Sequence, residues 1–155
     1  AKTLSRIRSE DGLTVIPEKS IDELNLNEYD SLLLPGAIDI REAIEDNAIL
    51  DFIKKFEGMP IGAISIAPLL LLKAGLLEGK PFMAGVNPED LFEEGYTTDD
   101  LALMIGWDAS LENPIPEGYI QSGSIVTSVS YNFVRWALAF GKMLGIDLSP
   151  KTFGL

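Results

Sequence analysis

The chain has 155 residues, enough for one domain, and 46% of them are apolar, as expected of a globular protein with a core. It contains no cysteine and no histidine, which excludes disulfides, cysteine-rich zinc sites, thiolate nucleophiles and any catalytic triad with a histidine base. The formal net charge is −12 and the basic residues are not clustered, so neither nucleic acid nor an anionic membrane surface is expected as a partner.

The first part of the chain predicts a hairpin, a short helix and a strand. An Asp-Gly pair separates the runs 3–8 and 13–16, which indicates a β-hairpin. Ser20 is followed three residues later by Glu23, the pattern of a capping box. The apolar run that ends at Pro35-Gly36 predicts a strand buried on both faces.

The middle of the chain alternates helices and strands. Residues 40–57 predict one amphipathic helix, which Gly58 ends. A second buried strand, a helix and a third strand are then predicted at residues 61–65, 68–74 and 82–84. Strands that alternate with helices favour a parallel sheet with helices on both faces.

The last part of the chain has weaker signals before a clear helix. Only one short helix, over 98–104, is expected in the acidic stretch 87–118. A hairpin is predicted around Ser122-Gly123 and an irregular tail over 147–155. The clearest helix is predicted over 131–144, and its inward face is expected to comprise Phe133, Val134, Ala137, Leu138, Gly141 and Leu144.

The sequence predicts a cytoplasmic protein. Its first twelve residues lack the apolar segment of a secretory signal. The longest uncharged apolar run, 59–72, is too short to span a membrane and is interrupted by Pro60 and Pro68.

The candidate chemistry lies at two predicted strand ends. In open α/β sheets, sites form where the carboxyl ends of the strands meet loops. One such end is Pro35-Gly36-Ala37, and the other is the run 62–68, where a strand turns directly into a helix. Ser65 at this turn is predicted to occupy a nucleophile elbow. The N–H groups at the start of the next helix favour an anion or an oxyanion there.

The ordered set of motifs resembles the ThiJ/PfpI family, in the class I glutamine-amidotransferase-like superfamily. The residues that carry the resemblance are 12–17, Tyr29-Asp30, 33–36, 63–68 where the family has Ala-Ile-Cys-x-Gly-Pro, 74–80, 124–128 and the helix from Tyr131. They cover nearly the whole chain. The resemblance implies one domain over 1–155, with an α/β fold of the flavodoxin-like type: a three-layer α/β/α sandwich with a mostly parallel sheet.

The chain departs from the family pattern at the elbow. Ser65 stands where the family has its nucleophilic Cys, Ile66 where some members have His, and Ala67 where the elbow has Gly. The family's partner Glu belongs to a strand–helix–strand segment that this chain does not match. We therefore expect the natural product to carry roughly 35–45 further N-terminal residues.

Two interpretations of the elbow are open. The resemblance implies that the backbone N–H groups of Ala37 and Ile66, beside Gly36, form an oxyanion hole for a carboxylate, carbonyl or phosphate; a hydrated helix start is the alternative. Ser65 is either a catalytic nucleophile or a small residue that hydrogen-bonds locally. The second interpretation is favoured because no histidine is present to act as base, and a general base typically contributes about 10²–10⁴-fold.

The favoured function is therefore a family member with a degenerate nucleophile site, which binds a small metabolite or acts in regulation or stress response. The alternatives are a hydrolase or amidase that uses Ser65, and a homodimeric structural module without a ligand. No metal or other cofactor is predicted, and the resemblance implies a homodimer.

Several polar residues near the candidate site have structural interpretations. Arg41, with Asp39, either binds an anionic ligand or forms an exposed pair with Glu42 and Glu45 at a helix start, and the exposed pair is favoured. Lys73 lies eight residues beyond Ser65 and is expected to point elsewhere. Structural hydrogen bonds or solvated loop positions are expected for Thr127, Ser128, Glu93, Glu94, Asp99 and Asp100.

Overall fold

The structure is a computed structural model and describes residues 1–9 and 11–155. Its strands are β1 (Ile7–Arg8), β2 (Thr14–Val15), β3 (Leu32–Leu34), β4 (Ile61–Ile64), β5 (Phe82–Met83), β6 (Met104–Ile105), β7 (Ile120–Ser122) and β8 (Ile125–Ser128). Its α-helices are α1 (Arg41–Ile44), α2 (Asn47–Lys54), α3 (Pro68–Lys73), α4 (Pro88–Leu91), α5 (Thr98–Leu101), α6 (Trp107–Glu112) and α7 (Phe133–Met143). Short 3₁₀ helices cover Ile21–Glu23, Leu26–Glu28, Ser130–Asn132 and Pro150–Phe153.

A four-stranded sheet in the order β3–β4–β8–β7 forms the centre of the fold. The first three strands are parallel, and β7 runs antiparallel to β8. Strands β5 and β6 form a separate parallel pair. A hydrogen bond links this pair to the main sheet: the Met83 N–H of β5 donates to Thr127 Oγ1 of β8 at 2.9 Å.

The two faces of the sheet are covered by different helices, which makes three layers. Ile61 and Ala63 of β4 belong to the larger core, with residues of α2 and α3. Ile64 of the same strand belongs to the core formed with Trp136 and Phe140 of α7. Alternate residues of one strand thus face opposite layers, as the pleat requires. The predicted flavodoxin-like α/β fold is confirmed.

Both predicted hairpins and the capping box are confirmed. Strands β1 and β2 pair antiparallel, although each has only two residues in the ladder. In the second hairpin, Gly123 takes a φ of +63° between β7 and β8. The Ser20 N–H donates to Glu23 Oε2 at 2.9 Å, which caps the short helix that follows.

The predicted single helix over 40–57 is wrong, because the segment forms α1 and α2 with a break at Asp46. The backbone of Asp46 is extended, and its carboxylate accepts a hydrogen bond from the Ala48 N–H at 3.0 Å. Aspartate in this conformation caps a new helix and cannot continue the previous one. The apolar spacing runs across the break, which is why periodicity alone predicted one helix.

The strand predicted to be buried on both faces is instead an edge of the sheet. Within the described part of the chain, β3 pairs with β4 on one side only, and the Leu33 side chain is 51% exposed. An unbroken run of leucines predicted burial but carried no information about whether a second neighbouring strand is present.

The inward face predicted for the last helix is also wrong. The buried residues of α7 are Trp136, Ala139 and Phe140, whereas Phe133 is 61% exposed. The helix is apolar on both sides, and the tail segment Pro150–Phe153 lies along its outer side. The larger aromatic rings face the sheet because Gly62 leaves room for them there.

The stretch 87–118 holds more structure than expected. The predicted helix over 98–104 is the shorter α5, and strand β6 follows it at Met104. Helices α4 and α6 were not predicted. In the described part of the chain, no helix has the length and apolar character needed to cross a lipid bilayer.

We expect Gly62→Ala to lower the free energy of unfolding by about 1–3 kcal/mol, the usual cost of overpacking a core. The added Cβ would lie 2.9 Å from Phe140 Cδ2 and 3.0 Å from Trp136 Cζ2, and both rings are buried. Urea denaturation measures the change. The control is Gly141→Ala in α7, whose Cβ would meet nothing closer than 3.7 Å and which should be neutral or stabilising. Equal losses in the two variants would contradict the packing argument.

Candidate functional site

Ser65 lies at the sharp turn between β4 and α3. Its φ is +62°, and it is the only non-glycine residue with a positive φ in the described part of the chain. Such a conformation costs about 1–3 kcal/mol and persists where the surroundings hold it. The Ser65 N–H donates to the Ser128 carbonyl at 2.9 Å, and the Ser65 carbonyl accepts from the Gly85 N–H at 2.7 Å. Main-chain bonds on both sides thus hold the turn.

The Ser65 side chain lies between two glycines. A Cβ on Gly36 would lie 2.6 Å from Ser65 Cβ and 3.1 Å from its Oγ, and one on Gly85 would lie 3.3 Å from the same Oγ. A side chain at Gly36 would therefore displace the serine. Gly36 was a predicted site residue, whereas Gly85 was missed. The signal was a glycine directly after a predicted strand, the same pattern that marked Gly36.

The contact between Gly36 and Ser65 brings together the two segments predicted to form an oxyanion hole. Ala37 follows the first residue and Ile66 follows the second, and both are half-buried. Within residues 1–9 and 11–155, no protein group accepts a hydrogen bond from the N–H of Ala37 or of Ile66. Over the same residues, the Ser65 hydroxyl has no hydrogen-bond partner, so the local hydrogen bond expected of it is not present there. The turn thus presents three polar groups that the described protein does not use.

A cavity of about 420 Å³ lies beside this turn. Its walls are mainly apolar and are formed by Ile40, Ile44, Ile66, Leu69, Leu91 and the ring of Tyr96. Of the four predicted site residues only Ile66 lines it. The sequence did not indicate this cavity, because its walls come from α1, α3, α4 and the loop after α4.

Arg41 forms an exposed pair with Asp39 at the start of α1. Its Nε donates to both carboxylate oxygens at 3.0 Å, and its Nη2 and backbone N–H also donate to the carboxylate. The hydrogen bonds from the guanidinium, followed by that from the backbone, lower the pKa of Asp39 to about 2. The expected exposed pair at the helix start is thus present, but Arg41 forms it with Asp39, whereas Glu42 and Glu45 were expected.

Lys73 points away from the elbow, as expected. Its ammonium lies over the ring of Tyr96, 5.4 Å from the ring centroid. No side chain of the described residues hydrogen-bonds to the Ser65 hydroxyl, so they supply no general base at hydrogen-bond distance.

The other polar residues near the site have structural roles. Thr127 and Ser128 are fully buried; Ser128 Oγ donates to the Gly118 carbonyl at 2.6 Å, and Thr127 Oγ1 accepts from Met83. The Asp100 carboxylate accepts from the Thr97 N–H at 2.8 Å and so caps α5. The described residues contain no group of three or more side chains placed to hold a metal ion.

Replacing Ser65 by glycine should release the backbone strain. We expect Ser65→Gly to unfold at higher urea concentration than Ser65→Ala, by up to about 1 kcal/mol, because glycine adopts a positive φ without a Cβ clash. The alanine variant serves as the control, since it removes the same hydroxyl but keeps the Cβ. A glycine variant less stable than the alanine variant would contradict the claim that the backbone is strained at position 65.

Tyr96 is expected to make stability depend on alkaline pH. Burial, followed by the charges of Glu94 and Asp100, raises the pKa of Tyr96 from its ordinary 10.0 to about 12. Ionisation of Tyr96 therefore does not affect the free energy of unfolding below pH 10 and lowers it as the pH rises from 10 towards 12, because the unfolded chain ionises first. Among the described residues its buried hydroxyl has no hydrogen-bond partner.

We therefore expect Tyr96→Phe to be at least as stable as the unsubstituted chain at pH 8, and its advantage to widen at pH 11. Urea denaturation at both pH values measures this. Tyr29→Phe, which removes the phenol of a residue that is 37% exposed, is the control for general alkaline effects. A constant difference between Tyr96→Phe and the unsubstituted chain at the two pH values would contradict the assignment.

A flavodoxin-like sheet with a strained strand-to-helix elbow at its carboxyl edge defines a class of α/β proteins. This chain belongs to the DJ-1/PfpI family, whose model matches residues 1–142. The predicted family resemblance is thus confirmed, whereas the replacement of a family Cys by Ser65 stays a prediction.

Known proteins similar to this chain include two curated relatives. Protein/nucleic acid deglycase 2 of Escherichia coli K12 is 35% identical over 85 residues, which cover 54% of this chain and 48% of the relative. General stress protein 18 of Bacillus subtilis is 34% identical over 68 residues, which cover 43% of this chain and 40% of the relative. The chain thus spans about half the length, or less, of these relatives.

Among solved structures, a DJ-1 superfamily protein from Agrobacterium tumefaciens has a TM-score of 0.72 and 21% sequence identity to this chain. The match covers 97% of this chain and 74% of the other. At this identity the likeness supports the fold and not the activity.

Proposed function

We propose that the elbow of this chain binds a small molecule through a carbonyl or carboxylate oxygen, and that the protein acts in stress protection or its regulation. The observation that carries the proposal is the set of uncommitted donors at the turn: the Ser65 hydroxyl and the N–H groups of Ala37 and Ile66. Within the described residues, none of the three has a protein acceptor.

Donors of this kind suit an oxygen that carries negative charge. Backbone N–H groups held in a fixed direction stabilise an oxyanion without reorganising when the ligand binds. Here the main-chain bonds of Ser65 to Ser128 and Gly85 hold the turn that carries the Ile66 N–H, whatever side chain stands at position 65. Binding therefore does not require an activated nucleophile.

Binding is favoured over hydrolysis because the described residues place no base beside Ser65. A serine hydroxyl is a weak nucleophile until a base takes its proton. The sequence holds no histidine, and Lys73 is directed to the ring of Tyr96. The hydrolase alternative gains no support from this arrangement.

The names of the two relatives support the stress-related part of the proposal. One relative is named for the deglycation of protein and nucleic acid, and the other is named a general stress protein. Because the chain spans about half of these relatives or less, any activity of the whole protein is part of this proposal.

Titration with glyoxylate, which carries both an aldehyde and a carboxylate, tests the proposal. We expect the amide resonances of Ala37 and Ile66 to shift saturably in ¹⁵N–¹H spectra. Gly36→Ala should abolish the shifts, because the new Cβ would lie 2.6 Å from Ser65 Cβ. Gly141→Ala, a substitution in α7, should retain the shifts. Unsaturable shifts spread over distant amides would contradict binding at the elbow.

A serine-reactive fluorophosphonate separates binding from catalysis at the same turn. We expect the chain to remain unlabelled under conditions that label a known serine hydrolase. Labelling that disappears in Ser65→Ala would show an activated Ser65 and would overturn the non-hydrolytic part of the proposal.

A further inference from the structure

We propose that the cavity beside the elbow is a second binding site, which takes an apolar amine: a hydrocarbon body with one ammonium group. The site is formed by α1, α3, α4 and Tyr96. It adjoins the elbow at Ile66, which lines it, whereas Gly36, Ala37 and Ser65 do not. The inference does not rest on the proposed function.

The size and walls of the cavity suit a small molecule with an apolar body. Its volume of about 420 Å³ falls in the range of small-molecule sites, roughly 300–1,000 Å³. The wall residues Ile40, Leu69 and Leu91 are buried in the protein core. A hydrocarbon group that enters the cavity therefore exchanges water for apolar contacts, which is favourable.

The rim of the cavity is negatively charged. It carries four carboxylates, those of Asp39, Glu45, Asp90 and Glu94, against only the two cations of Arg41 and Lys73. Asp39 already pairs with Arg41, which removes that cation from use by a ligand. In the part of the chain that the structure describes, no ion pair involves Glu45, Asp90 or Glu94. An ammonium at the rim would meet an excess of carboxylates, whereas an anion would be repelled.

The phenol of Tyr96, in the cavity wall, responds to nearby negative charge. The residue is only 8% exposed, and burial, followed by the charges of Glu94 and Asp100, raises the pKa of its phenol. Both carboxylates thus oppose a negative charge at this wall, and the same field favours a positive one.

The protein's own Lys73 provides the second observation. Its ammonium lies 5.4 Å from the centroid of the Tyr96 ring, within the range of a cation–π interaction. One wall of the cavity therefore already holds an ammonium group. Lys73 itself is exposed, so a ligand ammonium can displace it from this position.

Three probes with the same body and different charge test the proposal: 4-phenylbutylamine, 4-phenylbutanol and 4-phenylbutyrate. Isothermal titration calorimetry on the full chain should show the amine binding most tightly and the carboxylate most weakly, with steps of roughly two- to fivefold, as expected for partly exposed charges. An amine that binds no tighter than the carboxylate would overturn the proposal.

Two substitutions of opposite sign locate the ammonium. Glu94→Gln should weaken the amine roughly two- to fivefold and leave the alcohol unchanged, whereas Lys73→Met should strengthen the amine by a similar factor. The control is Glu112→Gln, which makes the same change of net charge at an exposed position on α6 that does not line the cavity. Equal effects of Glu94→Gln and Glu112→Gln would show a general charge effect and overturn the site.

Two further variants separate this cavity from the elbow. Ile44→Trp fills the cavity from its half-buried wall position and should abolish binding of all three probes, with circular dichroism to verify the fold. Gly36→Ala should leave amine binding intact while it abolishes the glyoxylate shifts. Amine binding that survives Ile44→Trp, or that disappears in Gly36→Ala, would overturn the assignment of a separate site; loss of the glyoxylate shifts alone would leave it standing.

Discussion

The parallel pairing of β4 with β8 determines where the functional residues lie. All four residues of each strand are buried, and the ladder extends one bond beyond β4, where the Ser65 N–H donates to the Ser128 carbonyl. Ser128 is itself fixed, because its hydroxyl donates to the carbonyl of Gly118. The last bond of the ladder is therefore also the first support of the elbow. Pro68 is at the first position of α3, where the fixed φ of proline favours the start of the helix.

The second constraint is the close approach of neighbouring groups to the backbone around β4, and glycine makes this approach possible at three positions. Gly62 admits the stacked rings of Trp136 and Phe140 on one face. Gly36 and Gly85 admit the Ser65 side chain at the carboxyl edge. None of these three glycines has a positive φ; glycine is favoured there because a Cβ would lie only 2.6 Å (Gly36), 2.9 Å (Gly62) or 3.1 Å (Gly85) from a neighbouring atom. Packing and the site thus depend on the same property of glycine.

Local signals predicted much of the fold and part of the site. The turn residues of both hairpins, the Ser20–Glu23 cap and the strand-to-helix turn at Ser65 depend on neighbours in the chain, and each was predicted. The break at Asp46 was missed because the apolar spacing continues across it, so the hydrophobic pattern does not show that a capping residue ends one helix and begins another. The inward face of α7 was missed because both sides of the helix are apolar, and only the space at Gly62 decides between them. Gly85 directly follows a predicted strand, but its contact with Ser65, like the cavity, joins segments distant in sequence, and no local pattern shows that these segments meet.

The backbone conformation of the elbow does not depend on the side-chain group at position 65. Its left-handed backbone is fixed by two main-chain hydrogen bonds and by two flanking glycines, and no contact of the serine hydroxyl with the described residues contributes to it. A thiol could take the place of that hydroxyl without any change in the backbone bonds. Reactivity at this position is therefore separable from architecture: one substitution could add or remove a nucleophile during evolution while the fold and the donor groups around it stay the same.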